Sequence, residues 1–236
     1  MIVLLLYLQA MSQVLSNISI KVNENLYLKS PESSALGKNI LKEGINLIDE
    51  IGFDDFTFKK LAKKIKSTEA SIYRYFENKH KFLLYLTSWY WAWMEYKLLF
   101  VTTNIDCPKN RLERTIKLLT EEVVEDGNIP HINERILNHI LASESSKAYS
   151  TKMVEDENNI GAFSTYKKLV QRVSDIVLEV NPSFKYPHML VSTVIEGSHH
   201  QRFFSQHLPK LTDVVEGEDA VTTFYTKLTL LTISND

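Results

Sequence analysis

Very little in this chain would cross-link or interrupt it. Of its 236 residues one is cysteine, seven are glycine and six are proline. A lone thiol, Cys107, closes no internal disulfide and supplies no thiolate zinc site, so burial has to hold the fold. The cytoplasm is the compartment this usage points to. Cys107 precedes Pro108 in a loop-like stretch, where a redox-sensor role is the alternative to an ordinary exposed thiol. No apolar run reaches the roughly 20 residues needed to span a bilayer. Met1–Leu8 is greasy but short and lacks the basic flank of a secretory signal, and Met11 is an equally good start of translation. No glycine loop cradles a phosphate and no nucleophile stands beside a base, so the sequence supports neither catalysis nor a cofactor. There is no internal repeat and no low-complexity segment.

The scarcity of helix breakers leaves the 44% hydrophobic residues free to recur at helical spacing, and an all-α protein with a real core follows. Charge is distributed unevenly along it. Between Thr57 and Lys81, eight basic residues (Lys59, Lys60, Lys63, Lys64, Lys66, Arg74, Lys79 and Lys81) face only Glu69 and Glu77, a local balance of +6. The whole chain is −2, so the rest carries −8. A basic island in an acidic protein is the footprint of a surface that docks on phosphates.

The island coincides with a helix-turn-helix pattern. Thr57 is a good N-cap, after which Phe58, Leu61, Ala62 and Ile65 share one face and leave the lysines outside. Lys66-Ser67-Thr68-Glu69 breaks the period. Thr68 caps a second helix whose buried stripe is Ile72 and Phe76, leaving Glu69, Ala70, Tyr73 and Arg74 largely on the opposite side. Upstream, Ile40, Leu41, Ile45, Leu47, Ile48 and Ile51 form an amphipathic helix closed by Gly52, where a left-handed residue is wanted. The bland alternative is a basic helical hairpin with a solvated face. Ahead of these helices, Ile18, Ile20 and Val22 alternate as a weak strand or extended arm, read as packing and not as DNA contact.

Ile40–Leu84 resembles the DNA-binding domain of the TetR family of one-component transcriptional regulators. The resemblance rests on Leu47-Ile48-Asp49-Glu50-Ile51-Gly52-Phe53, Thr57, Leu61-Ala62, the specific string Ser71-Ile72-Tyr73-Arg74-Tyr75-Phe76-Glu77-Asn78-Lys79, and Phe82-Leu83. It covers about a fifth of the chain. It implies an N-terminal three-helix helix-turn-helix domain followed by a larger helical ligand-binding and dimerisation domain, divided here as 1–34, 35–82 and 83–236. It also implies DNA contact by Thr57, Phe58, Lys59, Thr68, Glu69, Ala70, Ser71, Tyr73, Arg74 and Lys79. Tyr73, Lys79 and Lys59 would hold phosphates; Glu69, Ala70 and Arg74 would read bases. Two residues depart from the pattern: Lys66 replaces the turn glycine, and Ala70 replaces a small glycine early in the recognition helix.

Beyond the island, His80–Val101 is a long helix crowded with aromatics, and all three tryptophans fall within five residues of it. It reads either as a helix buried on several sides or as the wall of an aromatic pocket. The resemblance favours the pocket, with a small apolar effector beside Tyr85, Trp89 and Trp93. Further amphipathic helices are expected over Arg111–Glu125, Ile132–Ser145, Ile160–Val180, Pro187–Leu208 and Ala220–Ile233. The resemblance implies that the last two pair with their copies in a homodimer reading a pseudo-palindromic operator. Glu196, His199 and His200, with His207 two turns on, have metal-ligand spacing but no third ligand at a matching position, so no metal is expected. The expected function is a DNA-binding repressor released by its ligand. The alternatives are a helical sensor that kept the scaffold but lost specific DNA binding, and, remotely, a metal enzyme around Glu196 and His199.

Overall fold

A computed structural model describes residues 20–234. Among them every regular element is helical. Ten α-helices run in order: α1 Ala35–Asp55, α2 Phe58–Lys64, α3 Glu69–Tyr73, α4 Lys79–Thr102, α5 Pro108–Thr120, α6 Glu134–Tyr149, α7 Val154–Asn159, α8 Ser164–Val180, α9 Pro187–His207 and α10 Ala220–Ser234. Short 3-10 turns precede α1 and separate α9 from α10. The expected helices are all present. The one missed is α7, whose sequence VEDENN carries no apolar period to betray it. No helix among the described residues is long and apolar enough to cross a membrane.

Small local interactions set the helix starts. Ser34, Thr57, Thr68, Asn78 and Asn133 each accept a backbone N–H three residues on, from Gly37, Lys60, Ser71, Lys81 and Ile136. Gly52 ends the regular part of α1 at φ 75°, ψ 160°, a conformation essentially closed to side-chain-bearing residues. The chain then re-enters a short helical turn, and Phe56 N–H donates to Gly52 O at 3.2 Å.

Phe82 holds the first four helices together. Its ring stacks on Phe56 at 5.6 Å and meets Phe76 and Phe58 edge-on at 5.0 and 6.4 Å. It also lies so close to Gly44 of α1 that a Cβ there would sit 2.4 Å from the ring, so this crossing requires glycine. α4 continues unbroken past residue 82 into the tryptophan cluster, and one hydrophobic core runs from Leu26 to Ile233. In the larger half α5, α6 and α8 pack against α4, and α9 and α10 pack on that layer and on each other.

Residues 20–34 are a strap. Ile18 lies outside the described residues; Ile20 and Val22 pack on the core in extended chain and not in a strand. Asn23 and Asn25 side chains donate to Ile160 O at 2.8 and 3.1 Å, in the larger half. Further along, Leu28 N–H donates to Tyr75 O at 2.7 Å, just beyond α3. The segment therefore ties the end of α3 to the α7–α8 loop and touches core on both sides.

Candidate nucleic-acid interface and the cleft behind it

α2 and α3 are joined by a tight turn at Lys66, and its geometry is intact despite the missing glycine. Lys66 takes φ 53°; its N–H donates to Lys63 O at 3.3 Å, and Ser67 N–H donates to Ala62 O at 2.9 Å. Those two bonds are the pair that closes a helix through a left-handed residue. The strain of a non-glycine there, on the order of 1 kcal/mol, is offset by satisfying two helix-end carbonyls.

Beyond the turn, α3 presents Ala70, Tyr73 and Arg74 to solvent, with Glu69 and Ser71 half-buried and Thr68 exposed at the cap. Thr68 Oγ1 and Ser71 Oγ lie 2.7 Å apart, which fixes both hydroxyls at the leading end. Tyr73 is 46% exposed, yet its ring is braced edge-on against Phe58 at 5.1 Å, so its hydroxyl is held outward on a rigid support. Thr57 and Lys59 are exposed at the start of α2.

Two of the residues assigned to DNA take other roles in the structure. Phe58 is 4% exposed and belongs to the core, where it supports Tyr73; its side chain has no path to a ligand outside. Lys79 is no free phosphate clamp. Its ammonium donates to three backbone carbonyls, Phe53 O at 3.0 Å, Asp54 O at 2.9 Å and Phe56 O at 3.2 Å, and so caps the end of α1. An ammonium has three N–H donors, and three carbonyls satisfy it. Sequence spacing gives Lys79 its position but not its direction.

The same test sorts the rest of the basic island. Lys64 is paired with Glu50 at 2.5 Å and Glu43 at 3.9 Å. Lys60 donates to Asp55 O at 2.8 Å. Lys59, Lys63, Lys66 and Arg74 are exposed, and among the described residues no carboxylate lies within ion-pair reach of them. Those four cations lie around the outward end of α3; Lys81, half-buried in the first turn of α4, is likewise without an ion-pair partner among the described residues.

Tyr85, Trp89 and Trp93, expected to line an aromatic pocket, are buried in the core. Each of the three is 1% exposed. Trp89 and Trp93 stack at 6.5 Å, and Tyr85 meets Tyr27 and Phe76 edge-on. These side chains fill core, at the cost of an orphan donor at Trp93 Nε1. Trp91 points the other way. It donates to Tyr149 at 2.6 Å, stacks on Tyr166 at 4.3 Å, and lies 5.9 Å from the parallel ring of His199.

His199 in turn lines a real cleft of about 370 Å³ between the two halves of the molecule. α1 contributes Ile48, Asp49 and Gly52; α6 contributes Asn138, His139, Ile140, Ala142, Ser143 and Glu144; α9 contributes His199, Arg202, Phe203, Gln206 and His207; Glu122 completes the wall. Burial, with the neighbouring His200, pulls the His199 pKa down to about 4, so its ring is neutral at pH 7. The residues of the metal alternative have other surroundings: Tyr166 donates to Glu196 at 2.9 Å, and His200 is exposed beside Phe204. No group of three ligating side chains able to hold a metal occurs among the described residues. The cleft was not legible because its residues come from four distant stretches with no shared spacing.

Its floor is mechanically connected. Phe53 N–H donates to Glu144 at 3.2 Å, and Lys147 reaches Asp54 at 2.8 Å and Glu144 at 2.7 Å. The segment Gly52–Phe56 is thus gripped by α6 on the cleft side and by Lys79 of α4 on the other.

Comparison with known proteins shows what the first four helices resemble. The family model for bacterial regulatory proteins of the tetR family matches residues 40–86. Over these residues the chain is similar to that family. The uncharacterized HTH-type transcriptional regulator YuxN of Bacillus subtilis (strain 168) is 22% identical over 107 residues, 41% of this chain; the match spans only 37% of that relative's length. Two solved structures share the fold across both halves. AibR, in complex with isovaleryl coenzyme A and operator DNA, aligns over 82% of this chain and 97% of its own at TM-score 0.55 and 14% identity. Superantigen PfiT aligns over 86% and 97% at TM-score 0.57, also at 14% identity. At such identities the likeness is one of fold, and fold alone does not carry function.

Proposed function

We propose that this chain is a sequence-specific DNA-binding transcriptional regulator, a cytoplasmic repressor that leaves a pseudo-palindromic operator when a small, largely apolar ligand binds. The observation that carries the reading is the outward face of α3: Ala70, Tyr73 and Arg74 are presented on a braced helix among four cations without ion-pair partners. Small residues leading a helix suit entry into a major groove, and the surrounding cations suit the phosphates on either side. Residues 35–82 form the DNA-binding unit in this reading, 83–236 the ligand and dimer unit, and 1–34 an arm.

The scaffold-only alternative drew on Lys66 and Ala70. Lys66 supports it no longer, since the turn closes with both bonds in place. AibR, of similar fold, is bound to operator DNA and an acyl-coenzyme A. By analogy this chain couples a ligand to DNA, with the ligand in the cleft between α1, α6 and α9. A ligand there touches Gly52 and the Glu144 grip directly. It shifts the end of α1, and with it α2 and α3, relative to a second subunit. Such coupling amounts to about 1–3 kcal/mol and is reciprocal.

Two recognition helices require a homodimer. α9 and α10 leave Met189, Phe224 and Leu231 57–67% exposed, an apolar face that soluble monomers rarely carry. Phe224→Lys is therefore expected to give monomers in sedimentation. The test of the function is a footprint on the region upstream of the protein's own gene. A protected, two-fold-related pair of half-sites is the expected result, and uniform coating or no protection would refute specific binding.

A further inference from the structure

The side chains lining the cleft restrict the charge of whatever enters it. Three carboxylates, Asp49, Glu122 and Glu144, stand against one guanidinium, Arg202. These charges are not equally available. The charge of Arg202 is answered by Asp219: its Nη2 donates to both oxygens of that carboxylate at 2.7 and 2.6 Å, and Nε and Nη2 donate to Thr120 O at 3.0 and 2.6 Å. Glu144 is answered by Lys147. Asp49 and Glu122 are exposed, and among the described residues neither has a cation within ion-pair distance. The uncompensated charge of the cleft is two carboxylates.

An independent feature points the same way. His199 is 8% exposed, lines the cleft, and has no hydrogen bond to any described residue. A neutral imidazole offers a lone pair to a donor that enters the cleft. Phe203 and His207, 4.6 Å apart, add ring faces, while Ile48, Ile140 and Ala142 supply apolar wall. An anion entering here would lose hydration, meet two like charges and find no free cation. A cation gains carboxylates, a lone pair and aromatic faces.

We infer that the cleft binds a small organic cation: an amine with an apolar body, its protonated nitrogen set between Asp49, Glu122 and the His199 lone pair. Phe203 and the aliphatic wall take the body. This assignment rests on the reading that the cleft is the effector site, and it gives that effector a charge. The cleft volume lies at the lower end of ordinary ligand sites, which limits the body to a small molecule.

The full chain tests it with three probes sharing one body and differing in charge: phenylbutylamine, phenylbutanol and phenylbutyrate at pH 7. Calorimetry and the fluorescence of Trp91, beneath His199, report binding. The amine is expected to bind about tenfold tighter than the alcohol, with phenylbutyrate weakest. Asp49→Asn combined with Glu122→Gln should bring the amine to the level of the alcohol and leave the alcohol unchanged. Binding of phenylbutyrate at least as tight as the amine would overturn the inference, as would an amine preference surviving the double substitution, or no binding of any probe. Affinity for DNA from the footprinted region, measured alongside, separates the two readings. A charge-selective amine that leaves DNA affinity unchanged keeps the ligand class and refutes the switch. Phenylbutyrate that binds and releases DNA does the reverse.

Discussion

The recognition face and the cleft meet at the C-terminal end of α1, yet they are assembled in opposite ways. The face comes from one continuous stretch, residues 57–78, in which each helix start is capped from within three residues. Its uncompensated charges are mostly cations, with Glu69 and Glu77 as the unpaired carboxylates. The cleft draws on residues from 48 to 207, supplied by four separate stretches, and its uncompensated charges are carboxylates. Local chemistry builds the first, and long-range packing builds the second. The contrast also separates what is rigid from what can respond: the face is fixed by its own caps, whereas the cleft is held by contacts between elements that can shift.

Acid strains the cleft side most. The ordinary pKa of His199, 6.5, is lowered to about 4 by burial and by His200. The unfolded chain therefore takes up this proton first. Stability from the neutral buried ring is complete above pH 6.5 and is lost as pH falls towards 4, a loss on the order of 3 kcal/mol. Denaturation of wild type and His199→Gln at pH 7 and at about pH 4.5 measures it. The substituted chain should lose less on acidification; equal losses would mean that the cleft does not bury a neutral imidazole.

Two lysines of the island sharpen the comparison next. Lys79→Met removes the ammonium from three carbonyls and should cost about 2 kcal/mol of stability while leaving the salt dependence of DNA binding unchanged. Lys59→Ala should do the opposite, flattening the salt slope by about 2 for a dimer with no change in melting temperature. If the two behave alike, the division between structural and phosphate-facing cations is wrong. The smallest effect belongs to the turn: Lys66→Gly keeps both closing bonds and relieves φ 53°, for a gain of up to about 1 kcal/mol in a denaturant titration.

The legibility of the molecule follows the same division. Helix positions other than α7, the caps at Thr57 and Thr68, the closing glycine at 52 and the left-handed turn at Lys66 are readable, because each is decided within a few residues. What spacing does not contain is direction. Phe58 and Lys79 stand at their expected positions but point inward, because the core around Phe82 and the exposed carbonyls of α1 claim them. The tryptophans illustrate the same limit: their spacing fits a pocket wall and a filled core equally, and contacts from Tyr27 and the helices around α4 make them core. Residues lining the cleft carry no periodic signal at all.

The central claim, a DNA-binding face made of four free cations per subunit, is tested most directly by the affinity of the purified protein for its upstream DNA as salt is varied. Eight neutralised phosphates per dimer predict a log–log slope of roughly −7, a fall of about 10⁴ between about 50 and 200 mM salt. An affinity that is the same at both salt concentrations would contradict it.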